Sequence, residues 1–124
     1  MTFLYTPEHQ WLQLGADGIA TVGITPHAQD TLGDIVFVEL PAVGRLLAQS
    51  EVAAVVESVK TAADVYAPVA GMVVEVNEGL RSEPSLANSA PQQGGWFFKV
   101  KLSEPESLGS LLSETAYQAL LGDA

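Results

Sequence analysis

Short apolar segments alternate with turn residues along the whole chain. Trp11 to Leu14 alternates with glutamines and predicts a strand. Gly15-Ala16-Asp17-Gly18 predicts a turn, because Asp-Gly accepts the positive φ of a tight hairpin. Ile19 to Ile24 is the return strand. Thr25 has the side chain of a helix N-cap, Pro26 suits the first helical position, and Gly33 closes a short helix. Asp34 to Leu40 is the clearest strand of the first half, rich in β-branched and aromatic residues. Strict alternation sets Ile35 and Phe37 on one face and Val36 and Val38 on the other.

Pro41 and Gly44 mark a corner, after which strands are predicted over Val52 to Val59, Asp64 to Tyr66 and Met72 to Val76. A second Pro-x-x-Gly corner, Pro68 to Gly71, hints at a repeated β unit. Asn77 to Gly95 is too long for a bare loop, so a helical turn is predicted near Pro84 to Asn88. Trp96 to Leu102 is the last strand, with Trp96 and Phe98 on an apolar face and Lys99 and Lys101 on a wet one. Ser103 and Glu106 form a capping-box pattern with Pro105 in the first turn. Leu108, Leu111, Leu112, Tyr117, Leu120 and Leu121 follow at helical spacing, divided by Gly109. Many short strands with regular turns predict a mainly β barrel or sandwich, with an early helix and a helical C-terminus, as one domain over residues 1–124.

Composition narrows the function. The chain is 48% hydrophobic and only 16% charged, which supplies a core and excludes a disordered chain. Fifteen acids oppose five bases, a net charge of -10. Phosphate recognition needs clustered Lys and Arg, so nucleic acid and anionic membranes are poor partners. Cysteine is absent, which removes disulfides, thiolate metal sites and a cysteine nucleophile. His9 and His27 are 18 residues apart without a cluster of ligands around them, so no metal site is predicted. No apolar run approaches a membrane span, and Met1 to Tyr5 lacks the basic segment of a secretory signal, so a cytoplasmic protein is expected. No phosphate loop or nucleophile elbow is present, and no enzymatic activity of its own is expected.

Lys60 stands out. It lies between the arms Val52 to Val59 and Thr61 to Tyr66, and no Gly, Pro or Asn occurs between Val52 and Ala67. Small residues (Ser58, Thr61, Ala62, Ala63) surround it. Most lysines at hairpin tips are solvated charges. A protruding primary amine can also form an amide with a carboxylic cofactor, giving an arm on the order of 10–15 Å long.

The ordered motifs decide between these uses. Val56-Glu57-Ser58-Val59-Lys60 resembles the lipoylation motif of the H protein of the glycine cleavage system. The resemblance continues through Thr6-Pro7-Glu8-His9 before Trp11, Ala20 to Thr25, Leu32 to Pro41, Tyr66 to Gly71 and Val74 to Asn77. Pro84 to Asn88, Gly95-Trp96 and the Tyr117 to Leu120 helix complete it in the family's order, over nearly the whole chain.

The resemblance implies a barrel-sandwich hybrid, the lipoyl-domain-like fold, and a non-catalytic carrier with lipoate covalently on Lys60. It implies a shuttle that takes the aminomethyl group of glycine from glycine decarboxylase to aminomethyltransferase, then presents its dithiol to dihydrolipoyl dehydrogenase. A lipoate ligase or a lipoyl/octanoyl transferase is implied as a further partner. The family folds the loaded arm into a cleft with polar and acidic groups, and Asp64, Glu8, His9 and Gln10 are the candidates for it. Gln10 departs from the family's usual Glu at that position, and Thr61 from its usual Ala. Glu57 and Ser58 are recognition candidates beside Lys60. His9, next to Trp11, is read as a packing and hydrogen-bonding residue rather than a base. The alternatives are an H-like protein acting in lipoate transfer, motivated by Gln10, and an unmodified binding module. A biotin carrier is disfavoured because Lys60 lacks flanking methionines.

Overall fold

The computed structural model describes residues 3–15, 17–92, 94–103, 108–109 and 111–122. Its strands are β1 (Phe3–Tyr5), β2 (Gln10–Leu14), β3 (Ile19–Ile24), β4 (Ile35–Glu39), β5 (Leu46–Leu47), β6 (Val52–Ser58), β7 (Ala62–Tyr66), β8 (Gly71–Val76) and β9 (Phe98–Leu102). Its helices are α1 (Pro26–Leu32), α2 (Gly79–Ser82), α3 (Leu86–Ser89) and α4 (Glu114–Gly122). Six strands form one sheet in the order β1-β2-β3-β9-β8-β5, and three form a second in the order β4-β6-β7. Every pairing is antiparallel.

The inner faces of the two sheets share one core. Leu12, Val22, Val73, Phe98 and Val100 of the larger sheet cluster with Val38, Val56 and Val65 of the smaller one. Each such side chain contributes about 1.5–3 kcal/mol by leaving water, which offsets the entropy of ordering so many short strands. The two Pro-x-x-Gly corners have one task. Pro41 to Gly44 takes the chain from β4 to β5, and Pro68 to Gly71 takes it from β7 to β8, each time from the smaller sheet to the larger. The Gly44 N–H donates to the Val73 carbonyl (2.7 Å) and the Val73 N–H to that of Arg45 (2.9 Å), so the two crossovers lie side by side.

α1 forms as the sequence predicts. Thr25 accepts from the Ala28 N–H, Pro26 opens the helix and Gly33 ends it. β4 does not keep its predicted alternation. A register shift between Ile35 and Phe37 buries Ile35 and Val38 and turns both Val36 and Phe37 outward. A bulge adds a residue to one strand and so changes which face every later side chain takes. The last strand begins at Phe98 rather than Trp96: Phe97 bonds Val22 just outside the strand, and both phenylalanines are buried. Trp96 and Phe98 consequently belong to different apolar clusters. Lys99 and Lys101 do lie on a wet face, with Lys99 Nζ 3.7 Å from Glu75 and 5.0 Å above the Trp96 ring.

The C-terminal prediction needs correction. Pro105 and Glu106 of the expected capping box lie outside the described residues. Leu108 and Gly109 form a 3₁₀ turn, and Leu112 exchanges backbone bonds with Tyr5 instead of lying on a helix. Ser113, whose hydroxyl accepts from the Ala116 N–H (3.2 Å), caps the helix that follows. Pairing with β1, a strand that the local sequence does not predict, draws Leu112 out of the helical pattern.

Candidate functional site

The turn between β6 and β7 consists of Ser58, Val59, Lys60 and Thr61. The Ser58 N–H donates to the Thr61 carbonyl (2.8 Å). The Ser58 hydroxyl oxygen accepts from the Lys60 N–H (3.3 Å) and the Thr61 N–H (3.1 Å). One hydroxyl therefore closes a turn that has no glycine, and no residue of it has positive φ. The tip is also anchored at its side, where the Val59 N–H donates to the Asp34 carbonyl (3.0 Å). Gly33, with φ +82°, lies under Lys60: a Cβ added there would meet Lys60 Cε at 3.4 Å. Asn88 holds this support in place. Its Oδ1 accepts from the Ile35 N–H (2.9 Å), and its Nδ2 donates to the Gly33 carbonyl (2.8 Å) and to Gln29 Oε1 (3.0 Å). Lys60 is exposed, and among the described residues its Nζ has no hydrogen-bond or ion-pair partner.

A cleft of about 210 Å³ lies between the residues leading into β2, helix α1 and the β6–β7 hairpin. Ile24, Leu32, Val56 and Val65 give it apolar walls, and Glu8, His9, His27 and Asp64 give it polar ones. Apolar walls with a few polar groups are the usual make-up of a small-ligand site. A larger open groove over Gln13, Thr21, Glu75 and Lys99 has no residue in common with it.

Gln10 joins the two sheets at this cleft. It is only 2% exposed. Its Oε1 accepts from the Tyr66 N–H (2.6 Å), and its Nε2 donates to the Tyr66 carbonyl. The side-chain amide thus takes the place of a neighbouring strand at the open edge of β7. An amide can do both, whereas a carboxylate can only accept.

His9 has φ 68°, in the left-handed region that non-glycine residues seldom adopt. Its Nδ1 lies 2.8 Å from the Tyr117 hydroxyl, which in turn lies 2.8 Å from Thr25 Oγ1. The Tyr117 ring stacks on Tyr5, with centroids 4.6 Å apart, and so fastens α4 to the larger sheet. Burial and the nearby His27, at 4.4 Å between ring centroids, push the His9 pKa below its ordinary value, while Glu8 opposes them. Burial raises the Tyr117 pKa. His9 is therefore the packed and hydrogen-bonded histidine that the sequence suggested.

The structure brings Glu8, His9, Gln10 and Asp64 to the cleft. It places Glu57 outside, exposed and opposite Phe37 and Ala62, and uses Ser58 to build the turn. Sequence reasoning missed His27, Asn88 and Tyr117. Their roles come from long-range contacts, and only the position of Gly33 at the end of α1 hinted that this segment supports the lysine.

Comparison with known proteins gives a consistent result. A family model described as Glycine cleavage H-protein matches residues 3–124. A glycine cleavage system H protein from Escherichia coli O7:K1 is 56% identical over 119 residues, covering 96% of this chain and 92% of that protein. One from Bradyrhizobium diazoefficiens is 56% identical over 118 residues, covering 95% and 96%. Among solved structures, the crystal structure of a glycine cleavage system H protein from Mycobacterium marinum superposes with a TM-score of 0.90 at 36% identity, covering 98% of this chain and 97% of that one.

Proposed function

The chain belongs to the glycine cleavage H-protein family, and from that premise we propose how its residues serve a lipoyl carrier of glycine cleavage. Lipoate is attached through an amide to Lys60 Nζ. The carrier visits glycine decarboxylase, aminomethyltransferase and dihydrolipoyl dehydrogenase in turn and catalyses none of their steps itself. The single observation that supports this reading is an exposed, unpaired amine on a braced turn that flanks an apolar cleft of about 210 Å³.

The residues fit the group. Lipoate supplies a disulfide that takes up two electrons and a cargo, which a chain without cysteine cannot do alone. The apolar walls suit an alkyl chain. Glu8 and Asp64 suit a cationic amine, which is costly to bury without an acceptor. Gln10 lines the same cleft, but Tyr66 occupies its amide, so its lack of charge does not decide how an amine is held. This removes the motive for the lipoate-transfer alternative.

Intact-mass measurement after expression with a lipoate source tests the proposal. The parent is expected to gain one lipoyl group and Lys60→Arg none, and Lys60→Arg is expected to abolish glycine turnover with the three partner enzymes. A parent that stays bare while a control carrier is modified refutes it.

A further inference from the structure

The outer face of the smaller sheet has a feature that the lysine alone does not explain. The bulge in β4 leaves Val36 55% and Phe37 50% exposed, and Val59 next to Lys60 is 69% exposed. These three are contiguous. The Val59 N–H bonds the Asp34 carbonyl, Ser58 pairs with Ile35, and Glu57 pairs with Phe37. Single exposed apolar residues are ordinary on protein surfaces. Three joined at the foot of a reactive amine, by a bulge that turns a phenylalanine out of the core, form a pad.

We propose that this pad, Val36, Phe37 and Val59, is the docking surface for the enzyme that acylates Lys60. The proposal rests on the reading of Lys60 as the attachment site. Reach selects the occupant. The catalyst of amide formation must bring its reacting carbonyl carbon to Nζ, so its surface closes over residues adjoining the tip. For enzymes that act at the far end of the arm the reacting atoms lie roughly 10–15 Å beyond Nζ, so their chemistry does not require contact with the residues beside the tip. Charge selects the kind of surface. Asp34, Glu39 and Glu57 are exposed on these strands and their flanks, and Lys60 is the single cation within residues 34–39 and 52–66. The partner therefore offers an apolar hollow with a basic rim, and docking weakens as salt rises.

The chemistry balances with an acyl adenylate as donor. The Lys60 ammonium gives one proton to solvent, the free amine attacks the acyl carbon, and the nitrogen gives a second proton to solvent as the amide forms. The C–N bond forms, and the bond from acyl carbon to phosphate oxygen breaks. Adenylate leaves with the electron pair, and nothing is oxidised or reduced.

The test uses the full chain, a lipoate ligase and preformed lipoyl adenylate, with intact mass as the readout. Phe37→Ser is expected to lower kcat/KM for lipoylation about tenfold, through KM, as loss of a central apolar contact does. Val36→Thr and Val59→Ser are expected to act in the same direction. Acetylation of Lys60 by a small N-hydroxysuccinimide ester needs no docking and is expected to keep its parental rate. Reduction of the already lipoylated Phe37→Ser variant by dihydrolipoyl dehydrogenase is expected to be parental as well. Glu57→Gln is expected to flatten the salt dependence of lipoylation.

If the parent is lipoylated at Lys60 and all three pad variants stay within twofold of it, the pad proposal fails and the attachment site stands. If the parent itself is not lipoylated at Lys60, both fail. A fall in the ester rate matching the fall in kcat/KM places the effect on the amine and overturns docking. Loss of the dehydrogenase reaction with ligation intact assigns the face to another partner and also overturns it.

Discussion

Replacing Gln10 with glutamate changes one donor group at the contact between the sheets and leaves the shape almost untouched. In the parent, Gln10 meets both polar groups of Tyr66, accepting from its N–H and donating to its carbonyl, at a position only 2% exposed. A glutamate keeps the first bond and loses the second, because a carboxylate has no hydrogen to give. It also places a buried negative charge beside a carbonyl oxygen. An unsatisfied buried polar group costs about 1–3 kcal/mol, and an unpaired charge costs more. Tyr66 is itself only half buried, which moderates both terms. The expected loss of stability for Gln10→Glu at about pH 8 is therefore roughly 3 kcal/mol. Gln10→Leu, which brings no charge, is expected to lose about 2 kcal/mol.

The pH dependence separates this mechanism from poor packing. The new carboxyl regains its donor when protonated, so the fold favours its neutral form and raises its pKa above the unfolded value. Between those two pKa values the folded state binds more protons than the unfolded one, and stability falls as pH rises. Urea unfolding of parent and variants at about pH 5 and about pH 8 reads this directly. Gln10→Glu is expected to recover a substantial part of its deficit at the lower pH, whereas Gln10→Leu is expected to show the same deficit at both. Amide exchange at Tyr66 should quicken in both variants. A Gln10→Glu deficit under about 0.5 kcal/mol, or one that does not vary with pH relative to the parent, refutes the bond pattern from which the figure is built.

Two further expectations concern the aromatic cluster behind the cleft. Tyr117→Phe keeps the ring stacked on Tyr5 but removes the hydroxyl between His9 and Thr25, so a stability loss of about 1–2 kcal/mol by urea unfolding is expected. The pKa of His9 is lowered by burial and by His27, so His27→Gln should raise its titration midpoint in a proton NMR titration. With its folded pKa below the unfolded value, His9 adds stability that is fully present above the unfolded pKa and declines as pH falls through the window between the two. His27→Gln should narrow that window.

The parts of the fold legible in the sequence are those decided by neighbours along the chain. Thr25, Pro26 and Gly33 specify α1 through capping and φ preference alone, and the helix has the expected bounds. The β2–β3 hairpin follows from Asp17-Gly18 in the same way, with Gly18 at φ 79°. Elements whose reason is long-range were missed. β5 is two residues long and exists because β8 lies beside it. β1 exists because β2 and Leu112 pair with it. The bulge in β4 was invisible because Ile35, Val36, Phe37 and Val38 are all apolar. A run with no polar member cannot report which of its residues point inward.

The site divides along the same line, and the division bears on how such a carrier works. Lys60 was legible as a candidate because its local string is distinctive, and Glu8 and His9 because they stand in the same ordered motifs. The bracing of Lys60 was not legible. Ser58 closes the turn, Asp34 holds Val59, Asn88 fixes the segment that carries Gly33, and Gln10 ties the edge of β7 to the larger sheet. A swinging arm needs a fixed origin if it is to find one cleft at home and several active sites abroad. Flexibility in the turn would multiply the positions the arm's end visits and dilute it at each of them. The absence of glycine between Val52 and Ala67 and these four braces, three from side chains and one from the backbone, answer the same requirement. With the arm on Lys60 as proposed, the freely turning part begins at the lysine side chain, and the protein beneath it acts as a rigid mount.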